Sequence, residues 1–386
     1  MPELIFYIVF AIMTLLGVYA AFKLMFAFKH FSMRQMLTPN ATKSTLPSVS
    51  VCIPARNETY TMTQCLEHVI ASRYPKLEII VLDDGSRDNT SILIKSFAHA
   101  GVRFVEGSVL PDGWLGKNHA LQGLLHEASG SYVLYMDVDT IIAPDTIGQL
   151  VAYMEQEKAT MISVLPTRGT RWLGSVFFGT LRYAWELLLH RKTAPATSSS
   201  AWMIHRHSLR DSLGGFEPHK DDIQPEKRLA AALASTDAYR FLIGTPMIGV
   251  SYEKQWSSQV ETSIRLLYPF FGGQPLRAVL TMLLLLLLNL PVIILIFGLF
   301  DGWTLIQAMA LWQLSVFAAL YGLFLDKVWH KGWWLGIVLW PVVIAQELVL
   351  FVISTSRYMR RTVTWKGRAV TTTTPRPIVS SLPQAE

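Results

Sequence analysis

Cysteine is nearly absent: the 386-residue chain has two, Cys52 and Cys65, at neither disulfide nor metal-ligand spacing. That excludes a disulfide-stapled secreted fold and a thiolate metal centre, and leaves two reduced thiols in a cytoplasmic setting. Charge is scarce too, at 16% of residues against 51% hydrophobic, which is too little for an ordinary soluble protein. Long basic runs are missing. The formal net charge of +6 is spread out, with small groups at Lys23, Lys29 and Arg34 and at Arg357, Arg360 and Arg361. Those groups flank hydrophobic stretches, which fits an anionic membrane surface and argues against a nucleic acid partner.

Apolar runs are what the chain has in excess. Leu4 to Phe28, Ala278 to Phe300, Thr304 to Leu325 and Trp333 to Ser354 are nearly free of charge. Each can cover a hydrocarbon core, which takes about 20 helical residues. The first run opens Met-Pro-Glu, with no basic segment and no clear cleavage site, so it reads as an anchor and not a signal peptide. The expected organisation is an N-terminal transmembrane anchor over 1–30, a linker over 31–47, a cytoplasmic α/β domain over 48–262 and an interfacial segment over 263–277. C-terminal transmembrane helices over 278–355 and a basic tail over 356–386 with a disordered end complete it. Topology carries a conflict. With Met1 outside, three full spans after the domain would leave Arg357, Arg360, Arg361 and Lys366 outside, against the positive-inside rule. Either Ala278 to Phe300, with Asn289 and Pro291 at its middle, is re-entrant, or the rule fails here.

Within 48–262, short apolar runs alternate with helical patterns. Strands are expected at Val49 to Ile53, Leu77 to Leu82, Val102 to Val105 and Tyr132 to Met136, with helices at Gln64 to Ala71, after Asp88 and at Asn118 to Ala128. This is the βαβ signature of a parallel sheet, in which ligands bind beyond the carboxyl ends of strands. Three such ends carry Pro-Ala-Arg-Asn-Glu, Asp-Asp-Gly-Ser and Asp-Val-Asp, so one pocket can gather Arg56, Glu58, Asp83, Asp84, Asp137 and Asp139. Asp-Gly-Ser is also a turn composition. Paired carboxylates are hard oxygen ligands suited to Mg2+ or Mn2+.

IPARNE (Ile53 to Glu58), LDDGSRD (Leu82 to Asp88), MDVDT (Met136 to Thr140) and GGF (Gly214 to Phe216), at these separations, resemble glycosyltransferase family 2, over roughly residues 48 to 260. The resemblance implies a GT-A fold and a nucleotide-sugar donor. Carried over, Pro54, Arg56, Glu58, Asp83 and Asp84 hold the uridine end, Asp137 meets ribose or donor sugar, and Asp139 binds Mg2+ or Mn2+. PDGWLGKNHA (Pro111 to Ala120) and TVTWKGR (Thr362 to Arg368) resemble a membrane branch that includes bacterial C30 carotenoid glycosyltransferases; related branches act on hopanoids and ceramides. Physically, Lys117, a mobile point charge, and His119 can meet the diphosphate and Trp114 can pack on an apolar acceptor or the donor sugar, the alternatives being core packing for Trp114 and a satisfied helix residue for His119. Trp365-Lys366-Gly367-Arg368 reads equally as an interfacial aromatic with snorkelling cations.

Where many members show Glu-Asp as the acceptor-activating base, this chain has Asp221 to Glu226; Glu226 falls on that position and Asp222 competes with it. Gln255-Trp256 stands where polysaccharide synthases have Arg-Trp. Trp256 is kept as a donor-side candidate, and the weakened pair argues for a single transfer. The aromatic stretches Phe177 to Leu189 and Leu266 to Phe271 lie at the membrane interface, or the first is a buried helix. Together these imply a metal-dependent, inverting hexosyltransferase of the cell membrane, multi-pass, with its domain facing the cytoplasm. It would take UDP-glucose or a related donor and a lipid or isoprenoid acceptor such as a carotenoid carboxylate. A polysaccharide synthase, a hopanoid- or ceramide-type lipid glycosyltransferase and a non-catalytic membrane scaffold are the alternatives. A polymer assay separates the first from this reading, and donor hydrolysis separates the last.

Overall fold

The computed structural model describes residues 2–33, 37, 46–169, 174, 179, 181–302 and 304–370. The expected disordered end of the tail, most of the linker and part of the first aromatic stretch lie outside them. The chain divides into two compact units. One comprises Met1–His30, Thr170–Leu188 and Lys254–Trp365, the other Phe31–Gly169, Leu189–Glu253 and Lys366–Glu386.

The second unit is built on strands β1 (Val49–Ala55), β2 (Leu77–Asp83), β3 (Val102–Glu106), β4 (Tyr132–Met136), β5 (Thr140–Ile142), β6 (Met161–Leu165), β7 (Thr167–Arg168), β8 (Ala201–His205), β9 (Tyr239–Ile243) and β10 (Val250–Tyr252). Seven form one mixed sheet in the order β3-β2-β1-β4-β8-β6-β9. The β3-β2-β1-β4 half is parallel, and β8 runs antiparallel to both its neighbours. The parallel half follows from strand-helix-strand alternation, with helices Met62–Ile70, Thr90–Ser96 and Gly116–Glu127 between strands. Its strands are apolar on both faces because crossover helices cover them; β4 is buried at every position. Val51, Ile53, Leu66, Val81, Leu134, Ile162 and Met203 sit in one core. Register pairs Ala55 with Asp83, so the turns after β1 and β2 leave the sheet side by side. Cys52 and Cys65 are free and buried, and burial pushes both thiols far up, which leaves them inert.

The first unit is helical. Four of its helices are long and apolar enough to cross a membrane: Leu4–His30, Pro275–Phe300, Leu305–Val328 and His330–Met359. The second runs unbroken through Asn289 and Pro291, as part of helix Pro275–Asp301, where a break was one expectation. The Asn289 amide is absorbed instead, donating to Leu285 O at 2.8 Å and Ile344 O at 3.3 Å. Two further polar side chains in this unit are matched likewise: Gln313 joins Met13 O and Thr14, and Ser354 joins Ile264 O and Tyr268 N. Glu347 accepts from Leu181 N at 3.3 Å and Trp185 Nε1 at 2.9 Å. Arg182–Leu188, in the first aromatic stretch, is a helix with Tyr183, Trp185 and Leu187 buried. Helix Trp256–Phe270 spans the expected border at residue 262 and buries Leu266, Leu267 and Tyr268.

Candidate functional site

The turns that follow β1, β2 and β4 each present the polar residues that end those strands. After β1, Arg56 is held by its guanidinium: Nη1 donates to Asp84 O and, at 3.1 Å, to Gly85 O. Burial and then the neighbouring Arg368 lower its pKa from the usual arginine value. After β2 the two aspartates divide their work. Asp83 accepts from Ser86 N at 3.1 Å and from the Ser86 and Ser91 hydroxyls, so its carboxylate closes the turn. Gly85 takes φ 67° there, a left-handed conformation that glycine adopts without cost. Asp84, 5% exposed, instead pairs with Arg368 at 2.5 Å.

Glu58 pairs with Lys366, whose Nζ also donates to Arg56 O at 2.9 Å, while Arg56 Nε donates to Lys366 O at 3.3 Å. The TVTWKGR motif is thereby divided. Trp365 belongs to the helical unit, its ring 4.8 Å from the Arg265 guanidinium, while Lys366 and Arg368 enter the strand-end cluster. Sequence reasoning missed both as site residues, because nothing local marks a partner some 300 residues away. Positive φ at Lys366 and Gly367 marked a turn but not its destination.

After β4, Val138 is buried between two aspartates. Asp137 accepts from Lys117 Nζ at 2.6 Å. Ser200 O receives Asp137 N and the Thr140 hydroxyl, both at 3.0 Å, which fixes this turn to the residue before β8. Asp139 O accepts Glu253 N at 2.9 Å, because β10 pairs antiparallel with β5. Glu253 Oε2 is buried with no hydrogen-bond partner among the described residues. An orphaned carboxylate oxygen on the residue whose N–H meets Asp139 O suits a hard divalent cation. The described residues hold no group of three or more His, Cys, Asp or Glu able to bind a metal ion. A cation here therefore needs further oxygens, such as those of a diphosphate, which is the usual manner of magnesium.

Lys117 and His119 lie in the first turn of helix Gly116–Glu127, a terminus that favours anions. A Cβ on Gly116 would press against Arg368 and Asp84, which explains glycine at that position. Trp114 meets His119 edge-on, with ring centroids 5.6 Å apart. Burial, opposed by Asp84 and reinforced by Arg368, lowers His119 from its ordinary value. Pro54 lies within β1. Asp222 accepts from His219 Nδ1 at 2.9 Å and meets Arg228 Nε at 3.4 Å. Glu226, 2% exposed, opens helix Pro225–Ala234 just after its N-terminal proline. Trp256 belongs to the helical unit, donating to Gln346 at 3.1 Å, and is not among the strand-end residues.

A mixed α/β sheet with carboxylates and cations at its parallel strand ends is the arrangement of the GT-A fold. The solved mannosyltransferase PcManGT from Pyrobaculum calidifontis, in complex with GDP-Man and Mn2+, shares the fold, with a TM-score of 0.52 at 17% identity over 92% of this chain and 99% of that one. Residues 50–209 match the model described as Glycosyl transferase family 2. It is 27% identical over 237 residues to the probable glycosyltransferase YdaM of Bacillus subtilis (strain 168), covering 56% of this chain and 54% of that protein. It is 31% identical over 145 residues to the 4,4'-diaponeurosporenoate glycosyltransferase of Staphylococcus aureus (strain bovine RF122 / ET3-1), covering 36% and 37%. The poly-beta-1,6-N-acetyl-D-glucosamine synthase of Staphylococcus epidermidis is 31% identical over 121 residues, covering 31% and 28%. The chain spans about half the length of the first of these relatives and less of the others.

Proposed function

We propose that this protein is a membrane-bound inverting glycosyltransferase that moves one hexose from a nucleoside-diphosphate sugar, UDP-glucose first among candidates, to a lipid or isoprenoid acceptor. The observation that carries the reading is the strand-end cluster, in which Arg56, Glu58, Asp84, Asp137, Lys117, Lys366 and Arg368 converge. Such alternating charge suits a ligand with a polar nucleoside and an anionic diphosphate. Glu58 and Asp84 receive the nucleoside, exchanging the cations they hold now. Lys117, Arg368 and the helix start at Gly116 take the departing diphosphate. Asp139 and Glu253 hold Mg2+ or Mn2+, which neutralises the leaving group when bound.

The acceptor oxygen attacks the anomeric carbon from the face opposite the diphosphate and inverts that centre. Its proton goes to Glu226. Asp222 is the poorer base, because Arg228 and His219 already share its charge. A carboxylate acceptor is ionised at neutral pH and needs no base. The lipid acceptor is supported by the four apolar helices and by the carotenoid acid in the name of one relative; Gln255-Trp256 weighs against a polymer. The pairing of Lys366 and Arg368 with Glu58 and Asp84 supports a tail on the same membrane face as the sheet unit, the cytoplasmic one. That requires an even number of complete crossings between them. Mass spectrometry of lipid extracts from cells with and without the protein tests the reading. A hexose-bearing lipid that depends on the protein is expected. A polymer of hexosamine in its place, or no donor turnover by purified protein, overturns it.

A further inference from the structure

Helix Gly116–Glu127 carries Asn118, 1% exposed. Its amide nitrogen donates to the backbone oxygens of His219 at 2.8 Å, Lys220 at 3.1 Å and Asp222 at 2.7 Å. Two more ties run between the same segments: Leu115 N donates to Lys220 O at 2.8 Å, and Phe216 N donates to Gln122 Oε1 at 2.7 Å. The loop that contains Asp222 and leads to Glu226 therefore takes its position from this helix. Removing the amide takes this donor from the His219 and Asp222 carbonyls, and an unsatisfied part-buried carbonyl costs more than the bond itself.

We infer that Asn118 is a positioning residue for the transfer step, a role that rests on the proposed function. Lys117 and Asn118 are successive helical positions and point about 100° apart. Lys117 meets Asp137 at 2.6 Å while Asn118 meets the loop, so one rigid turn of helix sets the leaving-group side against the side of the base. Donor affinity belongs to the strand ends and does not pass through Asn118. Catalytic rate does, since a misplacement of about 1 Å costs on the order of 100-fold.

The test uses the full chain in detergent, with UDP binding, donor KM and kcat for transfer measured for Asn118→Asp and the milder Asn118→Ser, each with and without Glu226→Gln. Asn118→Asp faces three carbonyl oxygens with an acceptor. Its kcat should fall roughly 100-fold, with KM and UDP affinity held within about 2-fold; Asn118→Ser should fall between it and the parent. On a Glu226→Gln background, either change should add less than about 2-fold, because both act on one step. Losses that multiply with Glu226→Gln, or UDP affinity that falls with kcat in both variants, overturn the positioning role. Full transfer by Glu226→Gln alone would instead strike the proposed base, a separate failure.

Discussion

The strand ends and the loop that leads to Glu226 both supply carboxylates, and they treat them differently. At the strand ends four carboxylates are each met by something: Asp83 by serines, Asp84 by Arg368, Glu58 by Lys366 and Asp137 by Lys117. In the loop, Asp222 is matched in the same manner, while Glu226 is buried at the start of a helix. The difference teaches a rule for reading such a site. A carboxylate that shares its charge with a nearby cation can exchange that cation for a ligand, which is binding. The proposed base, Glu226, differs from Asp222 in its burial at the start of a helix.

The hardest test of that contrast is Glu226→Gln, expected to lose about 100- to 10,000-fold in kcat for a hydroxyl acceptor with nucleotide affinity unchanged. Asp222→Asn should cost far less, and the reverse ranking in steady-state assays would move the base to Asp222. Next, Asp139→Asn should lower turnover on the order of 100-fold or more, with the fold intact by circular dichroism; full activity of the variant, or in chelator, would remove the metal from the mechanism. At the binding pole, Arg368→Ala should raise donor KM by about 10- to 100-fold with a smaller change in kcat, and an unchanged KM would make the tail contact merely structural. The smallest effect is on pH. His119 has a folded pKa below its unfolded value of 6.5, lowered first by burial. Its stabilising contribution is therefore present above that value and lost as pH falls below it, since the unfolded chain then binds more protons. Thermal melts of His119→Gln should show a shallower acid decline than the parent.

Much of the sheet was legible because its signals are local: β1, β2, β3 and β4 lie within a residue or two of the expected runs, as do the helices between them. So was the gathering of three strand ends, which follows from parallel order. The antiparallel β8 was not, because Ala201–His205 is an apolar run whose direction depends on the long segment before it. Which of Asp83 and Asp84 closes the turn was equally closed to sequence, since the answer lies in the hydroxyls of Ser86 and Ser91 and in a guanidinium 284 residues away. Asn118 looked like one more polar helix residue. Its three carbonyl partners lie about a hundred positions on, in and beside the stretch read for its candidate base.

The contact between Arg368 and Asp84 also sets a clock. Synthesis delivers Glu58 and Asp84 before, and their cations after, all four apolar helices. Until then the strand ends carry acidic groups without those counter-charges, so the sheet can fold long before its site is electrically complete. A chain truncated after Met359 would keep every long helix and every strand of the seven-stranded sheet, yet it would lack both cations. Completion of this site is thus tied to residues made after the fourth apolar helix, and chains that stop short of Lys366 are unfinished in charge as well as in length.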